Sequence, residues 1–123
     1  MDNCVFCTKD GSIIYDNINW IVREDAYPVS KGHTLLIPKE HYETYFDLPD
    51  MMKESIHYML EHIKEILDAK YHPDGYNIGF NCGESAGQTV KHFHIHIIPR
   101  YYGDVENPRG GVRGVIPSKQ NYG

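Results

Sequence analysis

Residues 92 to 98 read His-Phe-His-Ile-His-Ile-Ile, a strict alternation of histidine with large apolar side chains. A period of two indicates a β-strand, because successive side chains of a strand point to opposite faces of the sheet. The three histidines would then share one face, and Phe93, Ile95 and Ile97 would share the other. Three imidazoles along one face are an unusual use of either a surface or a core. The pattern therefore predicts a chemical site on a half-buried strand.

The rest of the chain predicts elements that would pack with this strand. Four further short strands are predicted over residues 12–16, 20–24, 33–37 and 76–81, with turn residues between them. A short helical turn is predicted within residues 41–48. One long helix is predicted from about Pro49 to Lys70, because an apolar stripe recurs there at helical spacing (Met52, Ile56, Met59, Leu60, Ile63, Ile66 and Leu67). We therefore expect an α+β fold, a five-stranded antiparallel sheet with the helix packed over Phe93, Ile95 and Ile97.

Length and composition limit the class of protein. With 123 residues the chain suits one domain, which we place at residues 1–100, followed by a Gly- and Arg-containing tail at residues 101–123. No apolar run approaches the roughly 20 residues of a membrane helix, and the N-terminus does not resemble a signal peptide. An odd count of three cysteines argues against a secreted disulfide framework, so we expect a cytoplasmic protein. The net charge of −5 argues against broad binding to nucleic-acid backbones, whereas it is compatible with a small ligand bound at a local site.

The loop before the histidine strand, residues 81–90, predicts a binding site for phosphate. Gly83 and Gly87 allow tight turns, and backbone N–H groups, the Gln88 amide and the Thr89 hydroxyl suit phosphate oxygens. An ordinary glycine-containing connection is the alternative. A neutral imidazole beside such a loop is a competent nucleophile towards phosphorus, and a neighbouring imidazole can protonate the departing group. The same histidines are also able to bind a metal.

Cys4 and Cys7 form a C-x-x-C pair, a spacing at which two thiolates can bind one tetrahedral zinc ion. His41 and His92 are candidates to complete such a site. A redox pair, or a spacing without function, explains the two cysteines equally well.

Together these features resemble the histidine triad (HIT) superfamily. Residues 92–98 match its His-φ-His-φ-His-φ-φ signature, where φ is an apolar residue, and the flanking sequences resemble the Hint-type and Fhit-type branches. The matching flanking and upstream positions are Gly87-Gln-Thr-Val90, Pro99-Arg100, Asp25, Gly32-His33, Ile37-Pro38-Lys39 and His41. The resemblance covers roughly residues 4 to 100. It implies an α+β homodimer that hydrolyses AMP-type phosphoramidates or dinucleoside polyphosphates.

The resemblance also implies residue roles. His94 matches the nucleophile that becomes nucleotidylated, and His96 matches the position that contacts the phosphate and assists the leaving group. Positions that match substrate contacts are Asp25 for the ribose hydroxyls, and Asn81, Gly87, Gln88 and Thr89 for the phosphate. Zinc-containing members use four ligands that correspond to Cys4, Cys7, His41 and His92. Such a zinc would be structural, because four protein ligands leave no open position for a substrate.

Three hypotheses follow for function. The first is a nucleotidyl hydrolase, with water as the final acceptor because His96 stands where transferase relatives have glutamine. The second is a nucleotide-binding sensor or adaptor with incidental turnover, and the third is a zinc-dependent redox or metal-storage protein built on Cys4 and Cys7. Arg109 and Arg113 would either bind a second phosphate or belong to a surface or dimer-contact loop.

Overall fold

A computed structural model of the chain describes Phe6 and residues 12–122. Its five strands are β1 (Ile13–Asp16), β2 (Trp20–Glu24), β3 (Thr34–Pro38), β4 (Gly75–Gly79) and β5 (Ile95–Arg100), and its long helix is α1 (Asp50–Tyr71). The strands form one antiparallel sheet in the order β1-β2-β3-β5-β4. The predicted α+β fold is confirmed. Short 3-10 helices span Tyr45–Asp47, Glu84–Ala86, Gly111–Val115 and Pro117–Lys119.

Local sequence explains where the main elements begin and end. The Asn17 side chain accepts hydrogen bonds from the backbone amides of Asn19 and Trp20, which forms the predicted turn between β1 and β2. Helix α1 follows Pro49 and ends at Tyr71, and the next residue, His72, adopts a left-handed conformation at a φ of 51°. The predicted short helical turn is the 3-10 helix after Thr44, whose side chain and Asp47 form a capping box.

Helix α1 covers one face of the sheet and forms the main core there. Its buried residues (Met52, Met59, Ile63 and Leu67) pack against Trp20, Val22, Leu36, Phe93, Ile95 and Ile97. The predicted packing of Phe93, Ile95 and Ile97 is confirmed. The Trp20 indole N–H also donates to the Ser55 hydroxyl over 2.8 Å, which ties the sheet to the helix.

The central strand β3 is buried along its whole length, because both of its faces are covered. Thr34 and Leu36 point to one face, whereas Leu35 and Ile37 alternate to the other and pack with Phe6 and Val90. His94 and His96 belong to this second face, since Ile95 and Ile97 point to the helix. The face that carries His94 and His96 is therefore lined by loops and not by the helix.

Strand β5 begins at Ile95 and not at His92, which corrects the predicted strand 92–98. Continued register would place Phe93 opposite Pro38, which has no N–H to donate to the ladder. The Phe93 amide donates instead to the carbonyl of Tyr42 over 2.6 Å. His92 and His94 consequently lie before the strand, outside the ladder.

The tail packs on the domain at its start. Arg100 donates to both carboxylate oxygens of Asp104 and to the Asn77 side chain, and the Tyr102 amide donates to Asp74. The domain boundary at residue 100 stays a prediction. Within the described residues no helix combines the length and apolarity that crossing a membrane requires.

Candidate active site

A cavity of about 760 Å³ lies on the histidine face of the sheet. Its floor crosses three strands, because Arg23 on β2 pairs with Leu35 on β3, and Leu35 pairs with His96 on β5. The other described residues that line it are Phe6, Asp25, Ala26, Tyr27, Asn81, Gly87, Thr89, Val90 and His94. The cavity thus brings together both predicted catalytic histidines with Asp25, Asn81, Gly87 and Thr89.

The backbone fixes the protonation of His94. Its Nδ1 lies 2.9 Å from the carbonyl oxygen of His92. A carbonyl only accepts hydrogen bonds, so Nδ1 of His94 carries the proton. In the neutral ring Nε2 then keeps its lone pair, which is the requirement for a nucleophile.

A chain of three groups fixes the protonation of His96 in the opposite sense. The Val29 amide donates to Nδ1 of His33 over 3.1 Å, so the proton of the neutral His33 ring is on Nε2. His33 Nε2 lies 3.0 Å from His96 Nδ1 and donates to it. The proton of neutral His96 is therefore on its Nε2. The structure thus identifies His96 as the hydrogen-bond partner of His33.

Burial keeps both catalytic candidates neutral at neutral pH. The pKa of His96 is lowered from 6.5 to about 4, chiefly because burial disfavours the imidazolium and secondly because His94 and His33 would repel its charge. Burial also lowers the pKa of His94, against an opposing effect of its hydrogen bond to the His92 carbonyl. The two rings lie with centroids 5.1 Å apart, one offering a lone pair and the other an N–H.

Asp25 lies beside these rings. One carboxylate oxygen accepts from the Tyr27 amide over 2.8 Å, and the other is 3.4 Å from His33 Nε2 and 3.9 Å from His96 Nδ1. Asp25, His33 and His96 are close enough together to suggest a metal site. A metal on His33 Nε2 would displace the proton to Nδ1 and break the bond from Val29, so the protonation pattern favours a hydrogen-bonded relay.

The loop over residues 81–90 is held largely by its own hydrogen bonds. Gly83 and Gly87 adopt φ values of 94° and 93°, as their predicted turn role requires. The amides of Gly87 and Gln88 donate to the carbonyls of Glu84 and Gly83. The buried Gln88 side chain donates to the carbonyls of Glu43 and Val90 and accepts from the Gly83 amide.

In this structure the Gln88 amide and the backbone N–H groups of residues 87 and 88 donate to carbonyls of the protein, and their contact with a phosphate stays a prediction. Gln88 is not among the described residues that line the cavity. The amide and hydroxyl of Thr89 donate to no group in the described part of the chain. Thr89 and Asn81 are therefore the donors that the loop presents at the cavity.

Comparison with known proteins identifies the family to which this arrangement belongs. The HIT domain family model matches residues 8–103. The chain belongs to the HIT family. An uncharacterised HIT-like protein of Methanocaldococcus jannaschii is 38% identical over 110 residues, which are 84% of this chain and 83% of the relative.

Two other relatives bear on chemistry. An adenylylsulfatase of Arabidopsis thaliana is 33% identical over 104 residues, which are 80% of this chain and 53% of the relative. The crystal structure of a zinc-bound histidine triad family protein from Mycobacterium smegmatis has a TM-score of 0.78 and 34% identity, over 86% of this chain and 81% of that chain. Family membership supports nucleotide binding and hydrolysis in broad terms.

The predicted zinc ligands of this HIT protein are only partly within the described residues. Cys4 and Cys7 lie outside them. His41 and His92 do come together, with perpendicular rings whose centroids are 4.8 Å apart. His92 Nε2 lies 2.8 Å from the Pro38 carbonyl and must donate to it, so Nδ1 is the ring nitrogen able to bind a metal.

Arg109 and Arg113 of the HIT protein lie on the tail rather than in the histidine cavity. Their guanidinium carbons are 4.9 and 4.7 Å from the ring centroid of Tyr122. Arg113 also donates to the Lys119 carbonyl. Both arginines thus help to fold the tail, and a role in binding a second phosphate stays a prediction.

Sequence reasoning overlooked one side of the cavity, which is formed by Arg23, Leu35, Ala26 and Tyr27. A usable signal was present for Arg23. It stands two residues before Asp25, and strand alternation places both on one face. Leu35 gave no such signal, because a buried leucine on a central strand is ordinary core.

Proposed function

We propose that this HIT protein hydrolyses nucleoside phosphoramidates or dinucleoside polyphosphates through a nucleotidyl intermediate on His94. The observation that carries the proposal is the bond between His94 Nδ1 and the His92 carbonyl, which holds the Nε2 lone pair ready in the cavity. AMP-type compounds are the first substrates to test, because one relative is named an adenylylsulfatase.

The first half-reaction follows from the two protonation states. His94 Nε2 attacks the phosphorus and forms a P–N bond, while the bond from phosphorus to the leaving group breaks. His96 donates its Nε2 proton to the departing nitrogen or oxygen. Thr89 and Asn81 donate hydrogen bonds to the developing charge on the phosphoryl oxygens.

The second half-reaction restores the protein. Water attacks the phosphorus, the P–N bond breaks, and the mononucleotide leaves. His96 Nε2, now without its proton, accepts one from the water, and His94 recovers its lone pair. Asp25, 3.9 Å from His96, is in reach of a ribose whose 5′-phosphate is at the histidines.

The test is single-turnover mass spectrometry together with a substrate panel. Adenosine phosphoramidate, diadenosine tri- and tetraphosphate and adenylyl sulfate should give a transient adduct on His94 in the wild type. His94→Ala should lose turnover and adduct while it still folds and binds AMP. His62→Ala, which replaces a histidine of α1 outside the cavity, is the matched control. Turnover by His94→Ala at the wild-type rate would refute the proposal, and an adduct burst without steady-state turnover would favour the sensor or adaptor.

We propose in addition that the protein is of the zinc-containing type, with a structural zinc on Cys4, Cys7, His41 and His92. The donor set fits, because His92 presents Nδ1 and because buried Phe6, between the two cysteines in sequence, contacts the His92 ring with centroids 6.1 Å apart. The zinc would contribute folding energy at this end of the sheet. Metal analysis of purified protein should give one zinc per chain, and chelation should lower the melting temperature. Less than one zinc per ten chains would contradict this assignment.

We also propose a homodimer. Strand β4 is an edge of the sheet, and its Ile78 is 44% exposed with neighbouring Phe80 at 40%. A sheet edge with exposed apolar side chains favours pairing with another chain. Light scattering should give twice the chain mass, and a mass of one chain at micromolar concentration would reject the dimer.

A further inference from the structure

We infer that Arg23 reads the nucleobase and gives this protein a preference for guanine over adenine, an inference that rests on the proposed nucleotidyl hydrolase. Arg23 is the only side chain with a permanent positive charge among the described residues that line the cavity. The proposed hydrolysis mechanism assigns no role to Arg23. Its distance from the histidines is the first reason to assign it to the base.

The register of the sheet sets that distance. Arg23, Leu35 and His96 occupy directly paired positions on β2, β3 and β5, so their side chains share one face. Neighbouring strands lie about 4.8 Å apart, which places the Cα atoms of Arg23 and His96 about 10 Å apart. That span suits a nucleotide whose phosphorus is at His96 and whose base lies over Leu35.

Two further contacts give the bound nucleotide a direction. Asp25 lies 3.9 Å from His96, beside the phosphate end, where ribose hydroxyls would be. The Arg23 guanidinium lies over the Phe6 ring at 5.7 Å, and the Phe6 ring lies 4.8 Å from the His94 ring. Phosphate, ribose and base would therefore meet the histidines, Asp25 and Arg23 in that order.

The chemistry of the guanidinium selects between the purines. Its planar N–H groups form a fork that donates two parallel hydrogen bonds, and its five N–H donors allow contacts inside the protein at the same time. Guanine presents two neighbouring acceptors, O6 and N7, whereas adenine presents N7 beside a donor amino group. One bidentate contact of this kind corresponds to a preference of roughly 5- to 150-fold.

The test compares substrates that differ only in the base. The kcat/KM of guanosine 5′-phosphoramidate is divided by that of the adenosine compound, and calorimetry gives the Kd of GMP and AMP without turnover. We expect both comparisons to favour guanine roughly 5- to 150-fold in the wild-type full chain. Arg23→Met and Arg23→Lys should bring both ratios close to one, because neither side chain provides the fork. Arg109→Met, a tail arginine outside the cavity, should keep the wild-type ratios.

The outcomes separate this inference from the proposed function. Equal kcat/KM for the two compounds, or the same fractional loss for both in the Arg23 variants, would overturn the base-reading role while the hydrolase stands. If neither compound is hydrolysed, the hydrolase fails, and the Kd ratio of GMP to AMP still decides the preference. Arg23→Lys keeps the charge and length of the side chain, so it supplies the answer if Arg23→Met does not fold.

Discussion

Replacing His33 with leucine should disable His96 without touching the substrate. His33 is buried, donates to His96 Nδ1 over 3.0 Å, and is not among the described residues that line the cavity. Leucine fills the space but gives His96 no donor. Asp25, 3.9 Å from His96 Nδ1, then favours the tautomer with the proton on Nδ1. The proton needed by the leaving group is lost from Nε2.

The size of the effect follows from the role of that proton. A positioned general acid contributes about 10²–10⁴-fold to a rate, so we expect kcat to fall at least 100-fold, or about 3 kcal/mol of activation free energy. KM should change far less, because the cavity wall stays intact. The Val29 amide also loses its acceptor, which costs about 1–3 kcal/mol of unfolding free energy.

The assay uses two leaving groups to separate catalysis from stability. His33→Leu should be strongly impaired with an amine leaving group and much less with p-nitrophenol, which departs without a proton. His33→Gln, whose amide is able to donate to His96, should recover part of kcat. Thermal melts show whether each variant is folded. A folded His33→Leu protein with kcat within twofold of the wild type, or equally impaired with both leaving groups, would refute the reasoning.

Two more predictions concern stability. Folding lowers the pKa of His96 from 6.5 to about 4, so between these pH values the unfolded state binds more protons than the folded state. The free energy of unfolding should therefore fall as the pH drops from 6.5 towards 4, and His96 should not affect it above pH 6.5. Because the His96 side chain is 27% exposed, we expect it to contribute about 2 kcal/mol of that loss. Denaturant titrations of His96→Gln should show a smaller change of unfolding free energy with pH than the wild type, and the same change in both proteins would contradict the prediction. Gly110→Ala should unfold the tail, because φ is 91° and a Cβ would clash with the Gln120 carbonyl oxygen. Trypsin should then cleave the tail much faster, while Gly103→Ala, at a φ of 82° with open space, costs only about 1–2 kcal/mol of backbone strain; equal cleavage of the two variants would contradict the clash.

The sheet and the helix were predictable because their signals are local. The apolar stripe of α1 and the alternation around Ile95 and Ile97 each specify an element and its buried face within a few residues. The start of β5 was not predictable in this way. It depends on Tyr42, whose carbonyl accepts from the Phe93 amide only in the folded chain, and on Pro38, which cannot extend the ladder.

The candidate site was likewise predictable only where its signals are local in sequence. Motif matching identified His94, His96, Asp25 and Thr89, all of which line one cavity. It did not identify which nitrogen of the His96 ring carries the proton, because that depends on a contact with His33, which is 63 positions away along the chain. The hydrogen bond from the Gln88 side chain to the Glu43 carbonyl was not predictable for the same reason, since the two residues are 45 positions apart along the chain.

The late start of β5 has a consequence for how mutations would act on the two rings. Outside the ladder, the His92 carbonyl accepts from His94, so the state of the nucleophile is set by main-chain atoms two residues away. Because every residue type has that carbonyl, no single side-chain substitution elsewhere removes it. The state of His96 depends on the side chain of His33, which one base change in the gene can replace. The nucleophile is therefore the mutationally robust half of the pair, and gradual loss of activity should begin at the proton donor.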